Sequence, residues 1–147
     1  MPKNPTERFP GFAPSMAMLR NRKNAEAQET GYQWLLPRVG DFIEPLLAEL
    51  EVEGDPYMQR WILELLGEAR DVRAFQSFMQ HLLSQNASVR QWAESGLQKL
   101  GQTREGRKTM WAALQEQESI LTSANEHDEP QVREALARIL EEPRQTS

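Results

Sequence analysis

The chain contains no cysteine and only two histidines among its 147 residues. Without cysteine it can form no disulfide, no thiolate metal site and no cysteine nucleophile, and this composition fits a reducing compartment. It also lacks a run approaching the roughly 20 apolar residues of a membrane span, and its start does not resemble a signal peptide. We therefore expect a cytoplasmic protein that does not bind a membrane.

Positive charge is scarce as well. The chain carries 17 basic and 22 acidic residues, a net charge of -5. Because duplex binding depends mainly on Lys and Arg neutralising phosphates, a nucleic acid is not the expected partner.

Patterns typical of catalysis are missing too. There is no glycine-rich phosphate loop, nucleophile elbow, His-Glu-x-x-His motif or calcium loop. His81 is expected to be an ordinary helix residue, and His127 is expected to lie in a polar loop rather than in a metal site. We therefore predict that the protein is not an enzyme, that it has no catalytic or metal site and no cofactor, and that small molecules are not its ligands.

The chain does contain a repeated apolar sequence motif, which occurs three times and is called the repeat phrase below. Its anchors Met58, Val89 and Val132 are 31 and 43 residues apart, a spacing typical of helical repeat arrays. The positions four, seven and eight residues after each anchor lie on the anchor's side of an α-helix. The predicted core is therefore Met58, Ile62, Leu65 and Leu66, then Val89, Ala93, Gly96 and Leu97, then Val132, Leu136, Ile139 and Leu140.

Helix periodicity and capping residues predict six or seven helices and no strand. The predicted helices cover residues 24–36, 42–50, 56–67, 71–84, 88–100, 104–123 and 130–141. Asp55 and either Asn86 or Ser88 are expected to be N-caps, and Gly67 and Gly101 are expected to end helices. A glycine inside a helix costs about 1 kcal/mol relative to alanine, so Gly96 predicts the close approach of a neighbouring helix or of Trp92.

The two ends of the chain differ from the part between them. Residues 1–23 contain four prolines and no sustained helical period, which predicts an N-terminal arm that caps the first hairpin. Residues 24–141 are predicted to form one repeat domain, and residues 142–147 form a polar tail.

The three phrases resemble HEAT-like repeats, in particular the short form of the phycobilisome lyase family. The resemblance rests on Asp55-Pro56-x-Met58 through Gly67, on Val89-Arg90-x-x-Ala93, and on Glu129-Pro130-x-Val132-Arg133-x-x-Leu136. It implies an all-α fold, an α-solenoid of about three helical hairpins with an N-terminal capping segment. It also implies that Arg90 and Arg133 pair with an acidic residue of a neighbouring repeat.

Acidic residues are concentrated in one block. Residues 41–71 carry nine acidic and two basic groups, whereas residues 72–108 carry two acidic and six basic groups. An acidic field of this kind attracts a basic protein surface. The candidate binding residues are Glu44, Glu49, Glu51, Glu53 and Asp55 near the first hairpin turn, with Arg60, Glu64, Arg90, Gln91 and Glu94 on the second helices.

The leading hypothesis is a non-enzymatic protein-binding module, either an adaptor or an inhibitor of the immunity type that covers a basic toxin. The alternatives are a HEAT-like nucleic-acid-binding or DNA-repair protein and a chromophore-lyase accessory. Any of the four tryptophans that is exposed could anchor a partner, but three of the four lie beside core positions, so packing is the expectation. Leu63 is expected on the exposed side of its helix.

Overall fold

The structure is a computed structural model that describes residues 8–115 and 129–142, and these residues form helices and no β-strand. The prediction of an all-α fold is therefore confirmed. The described α-helices are α1 (Phe12–Leu19), α2 (Ala25–Leu35), α3 (Ile43–Val52), α4 (Pro56–Ala69), α5 (Phe75–His81), α6 (Ala87–Leu100), α7 (Arg104–Gln115) and α8 (Glu129–Glu141). Two 3₁₀ helices cover Leu36–Asp41 and Val72–Ala74. The chain divides into two compact units, Met1–Phe42 and Ile43–Ser147.

Helix α1 was not expected from the sequence, which predicted an arm without a helix. Pro14 is the third residue of α1, where an amide hydrogen would have no partner inside the helix, so proline does not interrupt it. Helix α1 packs closely on α2 at Gly31. A Cβ atom added to Gly31 would lie only 2.6 Å from the carbonyl oxygen of Ser15, so a larger residue would not fit there. The side chain of Gln28 also donates a hydrogen bond to the carbonyl of Leu19, at 3.0 Å.

Aromatic side chains complete the packing of the first unit. The ring of Phe9 lies 6.0 Å from that of Trp34 and 5.8 Å from that of Phe42, and Phe12 lies 5.2 Å from Phe42. The guanidinium of Arg38 covers the Phe9 ring at 4.5 Å. Residues of the predicted arm are therefore built into this unit.

In the second unit, consecutive helices pack in pairs. Helix α3 contacts α4, α5 contacts α6, and α7 contacts α8, while α6 also contacts both α4 and α8. Two of the predicted N-caps are confirmed: Asp55 accepts a hydrogen bond from the amide of Tyr57, and Asn86 accepts one from the amide of Val89.

All three anchors and the core positions predicted to follow them are buried. A neighbouring helix does approach Gly96 closely, through Phe78 of α5 rather than through Trp92: the Cε1 atom of Phe78 would lie 2.4 Å from an added Cβ. The expectation for Leu63 was wrong, because this side chain is fully buried. The sequence pattern assigned it to the exposed side since it lies outside the anchor's spacing, but α4 is apolar over a wider arc.

Two predicted helix boundaries differ from the structure, and a third lies outside the described residues. Helix α4 continues past Gly67 to Ala69 and is closed by Arg70 in a left-handed conformation, with φ 50°. Gly67 instead lies at the contact with α6, where its added Cβ would be 3.4 Å from the Cα of Gly96. The predicted helix 71–84 is a 3₁₀ turn followed by the shorter α5. The predicted helix 104–123 is described only to Gln115, and residues 116–128, including His127, lie outside the described residues.

Within residues 8–115 and 129–142, each helix is too short or too polar to cross a lipid bilayer.

Candidate interaction surfaces

The residue that follows each anchor holds the end of the preceding helix. Gln59 donates from Nε2 to the carbonyl of Glu53 at 2.7 Å, and Arg90 donates from Nη1 to the carbonyl of Ser84 at 2.6 Å. Both bonds reach back six residues. Arg133 donates to the carbonyl of Leu114, at 3.1 Å, across the longer connection between α7 and α8. The carbonyls of Glu53 and Leu114 belong to helix ends, which leave them without a partner inside the helix, whereas Ser84 lies in the connection three residues beyond α5.

This geometry gives the two arginines a role that the sequence did not predict. The resemblance implied pairing with an acidic residue of another repeat; in the structure, Arg90 and Arg133 donate these hydrogen bonds to backbone carbonyls. The hydrogen bond from Gln59 to the carbonyl of Glu53 was not expected either, because the uncharged amide was not recognised as a substitute for the arginine at this repeat position.

The turn between α3 and α4 holds most of the predicted acidic residues. Glu51 is exposed, whereas Glu49, Glu53 and Asp55 are half-buried. The carboxylate of Glu53 accepts a hydrogen bond from the amide of Asp55 at 3.1 Å, and that of Asp55 caps α4. Two of these carboxylates therefore stabilise the turn itself. We call residues 49–55 the acidic turn.

Glu44 lies apart from the acidic turn, in the first turn of α3. At 1.5 Å per residue, about 12 Å of helix separates it from Val52. Its carboxylate is 3.4 Å from the guanidinium of Arg73, which also bonds Asp71. The hydrogen bonds from Arg73 hold the pKa of the Asp71 carboxyl below its usual range. Glu44 is thus part of a local ion-pair network that extends to the 3₁₀ turn before α5.

On α4, Arg60 is half-buried and its guanidinium lies over two aromatic rings of the same helix. The distances to the ring centroids are 5.6 Å for Tyr57 and 5.2 Å for Trp61. Glu64, one turn further along, is also half-buried. Neither side chain lines the groove described next.

A groove with a volume of about 470 Å³ lies between α6 and α8. It brings together three of the predicted binding residues, Arg90, Gln91 and Glu94, with residues of α8. Arg138 joins the two walls, since its guanidinium is 3.9 Å from Glu94 and 3.6 Å from Glu134. The complete lining is Leu82, Ala87, Arg90, Gln91, Glu94, Gln131, Glu134, Ala135 and Arg138. We call this the α6–α8 groove.

The α8 wall of the groove was missing from the predicted binding set. The 43-residue offset between the second and third anchors could have found part of it, since this offset places Glu134 at the position that Gln91 occupies in α6. Gln131 was not suggested by any repeat position, because the 43-residue offset relates it to Ser88, which does not line the groove. It donates to the carbonyl of Leu82 at 3.4 Å.

Two large apolar side chains are exposed among the described residues, Val52 at 81% and Trp111 at 51%. Trp111 had been expected to pack in the core, because it follows the buried Met110. The helical repeat places these neighbours about 100° apart, so one can be buried while the other is exposed. The other three tryptophans are half-buried.

A nucleic-acid groove would need free arginines, and the arginines of α4, α6 and α8 are engaged within the protein. Arg60 covers aromatic rings, Arg90 and Arg133 bond backbone carbonyls, and Arg138 pairs with two glutamates. In the parts of the chain that the structure describes, no three Asp, Glu or His side chains converge as a metal site would require.

Comparison with known proteins finds no family model that matches the chain, no matching curated protein and no matching solved structure.

Proposed function

We propose that the protein is a non-enzymatic protein-binding module built as a HEAT-like α-solenoid, and that its partner docks in the α6–α8 groove. The observation that carries this proposal is the convergence of Arg90, Gln91 and Glu94 with residues of α8 around one groove. The lining combines amides, guanidiniums and carboxylates, which offer hydrogen-bond donors and acceptors for a polypeptide. A groove between helices is also a common place for a protein ligand.

The partner we propose is a protein with a basic surface. The acidic turn supports this choice, since residues 49–55 contain four carboxylates and no basic residue. Charges outside the docking site act mainly by steering the encounter, so the acidic turn would accelerate association while the α6–α8 groove holds the bound partner. The most concrete form is an inhibitor or immunity-type protein that covers a basic toxin, and the other form is an adaptor. Inhibition of the partner's activity by the added protein distinguishes the first form from the second.

The alternative of a nucleic-acid-binding protein receives no support from the engaged arginines described above, and the chromophore-lyase accessory rests on the resemblance alone. Neither is proposed here.

Site-specific photo-cross-linking tests the docking site. A photoreactive amino acid in place of Gln91, inside the groove, is expected to cross-link the partner in the native cell. The matched control is Ser88, which is also exposed on α6 but lies outside the groove lining. Mass spectrometry then identifies the cross-linked protein. Equal yields of the same cross-linked protein from both positions would contradict docking in the groove.

The acidic turn leads to a kinetic prediction for the partner that is found. We expect the triple variant Glu49→Lys, Glu51→Lys, Glu53→Lys to associate about tenfold more slowly at low salt, with a weaker salt dependence, because the steering charge is reversed. Dissociation should change much less, and surface plasmon resonance at two salt concentrations measures both rates. An unchanged association rate at low salt would show that the acidic turn does not steer the partner.

Gln91→Ala is the complementary variant. It leaves the acidic turn intact and removes a contact inside the groove, so it should raise the dissociation rate and leave association nearly unchanged. A slower association with an unchanged dissociation rate would instead show that the α6–α8 groove steers the partner and does not hold it.

A further inference from the structure

Among the described residues of the unit Ile43–Ser147, the two large apolar side chains that are exposed, Val52 and Trp111, lie on helix surfaces of opposite charge. Single exposed apolar residues are common on proteins. Here, however, the larger one is a tryptophan, the residue type most enriched at the energetic centre of protein interfaces. Each of the two helix surfaces therefore combines one exposed apolar side chain with charged residues of one sign.

The surface around Trp111 is a single stripe of α7. Arg104, Lys108, Trp111 and Gln115 follow one another at intervals of four, three and four residues, which places them on the same side of a helix. All four are exposed. We call them the basic stripe, because two of its members are cationic and none is acidic.

The surface around Val52 is the exposed side of α3. Its members are Glu44, Pro45, Ala48, Glu51 and Val52, and all are exposed. The small Ala48 lies between Pro45 and Val52 on the helix surface, at intervals of three and four residues, so the apolar part has a shallow centre. Glu51 borders it. We call this set the acidic stripe.

We propose that the acidic stripe of one copy of this chain binds the basic stripe of a second copy. The indole of Trp111 covers Ala48 between Pro45 and Val52, and Lys108 lies opposite Glu51. The charges of the two stripes are complementary, and burial of the indole removes the largest apolar side chain exposed among the described residues from water. Because each copy carries both stripes, two copies can exchange the contact reciprocally and close as a pair, or they can add further copies.

The acidic stripe shares Glu51 and Val52 with the acidic turn. The inference does not rest on the proposed function, however, since neither stripe lines the α6–α8 groove and no other protein is required. The test uses the full chain alone. Sedimentation equilibrium is expected to give a mass that rises above the 17.0 kDa of one chain as concentration increases and falls as salt is added. A mass that stays at one chain throughout would overturn the proposal.

Trp111→Ala should raise the dissociation constant of this self-association at least about tenfold, because the central anchor is lost. Glu51→Lys and Lys108→Glu should each weaken it similarly, because each places like charges opposite one another. The matched controls are Glu141→Lys and Lys23→Glu, which make the same charge changes at exposed residues outside both stripes and should leave association unchanged.

A mixture of the Glu51→Lys and Lys108→Glu chains is the decisive measurement. Both contacts between these two different chains again join opposite charges, whereas contacts between identical chains do not. The mixture should therefore regain association that neither variant shows alone. Since all the substituted side chains are exposed, circular dichroism should be unchanged. A mixture no stronger than its components would overturn the assignment of the two stripes.

Discussion

Leu97→Asp is expected to abolish the cooperative folding transition of the unit Ile43–Ser147. Leu97 is fully buried in α6, the helix that contacts both α4 and α8. The substitution removes buried methyl groups and places a carboxylate without a partner in the core, at a combined cost of at least about 4 kcal/mol. Domains of this size are stable by only about 5–15 kcal/mol, and an unpaired buried carboxylate can add several kcal/mol to this minimum cost, so the loss is comparable with the whole stability. Thermal and urea unfolding followed by circular dichroism measure the change.

Gln98→Asp is the matched control for this experiment. It introduces the same side chain at the next position of α6, where the residue is exposed. Its effect on the free energy of unfolding should stay within about 0.5 kcal/mol. If both variants melted at the temperature of the wild type, the assignment of the buried side of α6 would be wrong.

Gly96→Ala is expected to destabilise the protein by about 2 kcal/mol, although helix propensity alone would favour alanine by about 1 kcal/mol. The sign is opposite to propensity because the added Cβ would lie 2.4 Å from Cε1 and 2.6 Å from Cζ of Phe78. This ring is fully buried and cannot move aside without displacing its neighbours. Chemical denaturation measures the loss.

Gly67→Ala provides the control, since Gly67 lies across the same helix contact. Its added Cβ would be 3.4 Å from the Cα of Gly96, an ordinary contact distance, so the effect should be near zero or stabilising. Phe78→Leu should partly offset Gly96→Ala, with a coupling free energy of about 1 kcal/mol or more in the double-mutant cycle. Additive effects of the two substitutions would show that Phe78 is not what excludes a side chain at position 96.

The repeat phrases predicted the second helices of the unit Ile43–Ser147 well, because their signals are local. The cap residues Asp55 and Asn86 precede a 3.6-residue apolar period, and both properties are readable within about ten residues of sequence. Gly96 also predicted a close neighbour, since a helix keeps an unfavourable glycine when packing requires it. The sequence could not identify that neighbour as Phe78, which is eighteen residues away.

The features that the sequence did not predict depend on contacts between residues that are distant in the chain. Helix α1 was missed because its stability comes from packing on α2 at Gly31, and a short helix with Pro14 in its first turn shows little period of its own. The α6–α8 groove was predicted only on its α6 side. Its other wall depends on the packing of α8 against α6, which no local pattern specifies. Charge blocks likewise grouped Glu44 with the acidic turn, although α3 separates them.

The amide of Gln59 makes the same backward bond that a guanidinium makes after the second anchor. An arginine at this position would fasten the connection between α3 and α4 and would also place a fixed cation among its four carboxylates. Glutamine makes the fastening hydrogen bond without adding the cation. Gln59 therefore holds the connection between α3 and α4 in one shape and adds no positive charge beside its acidic residues.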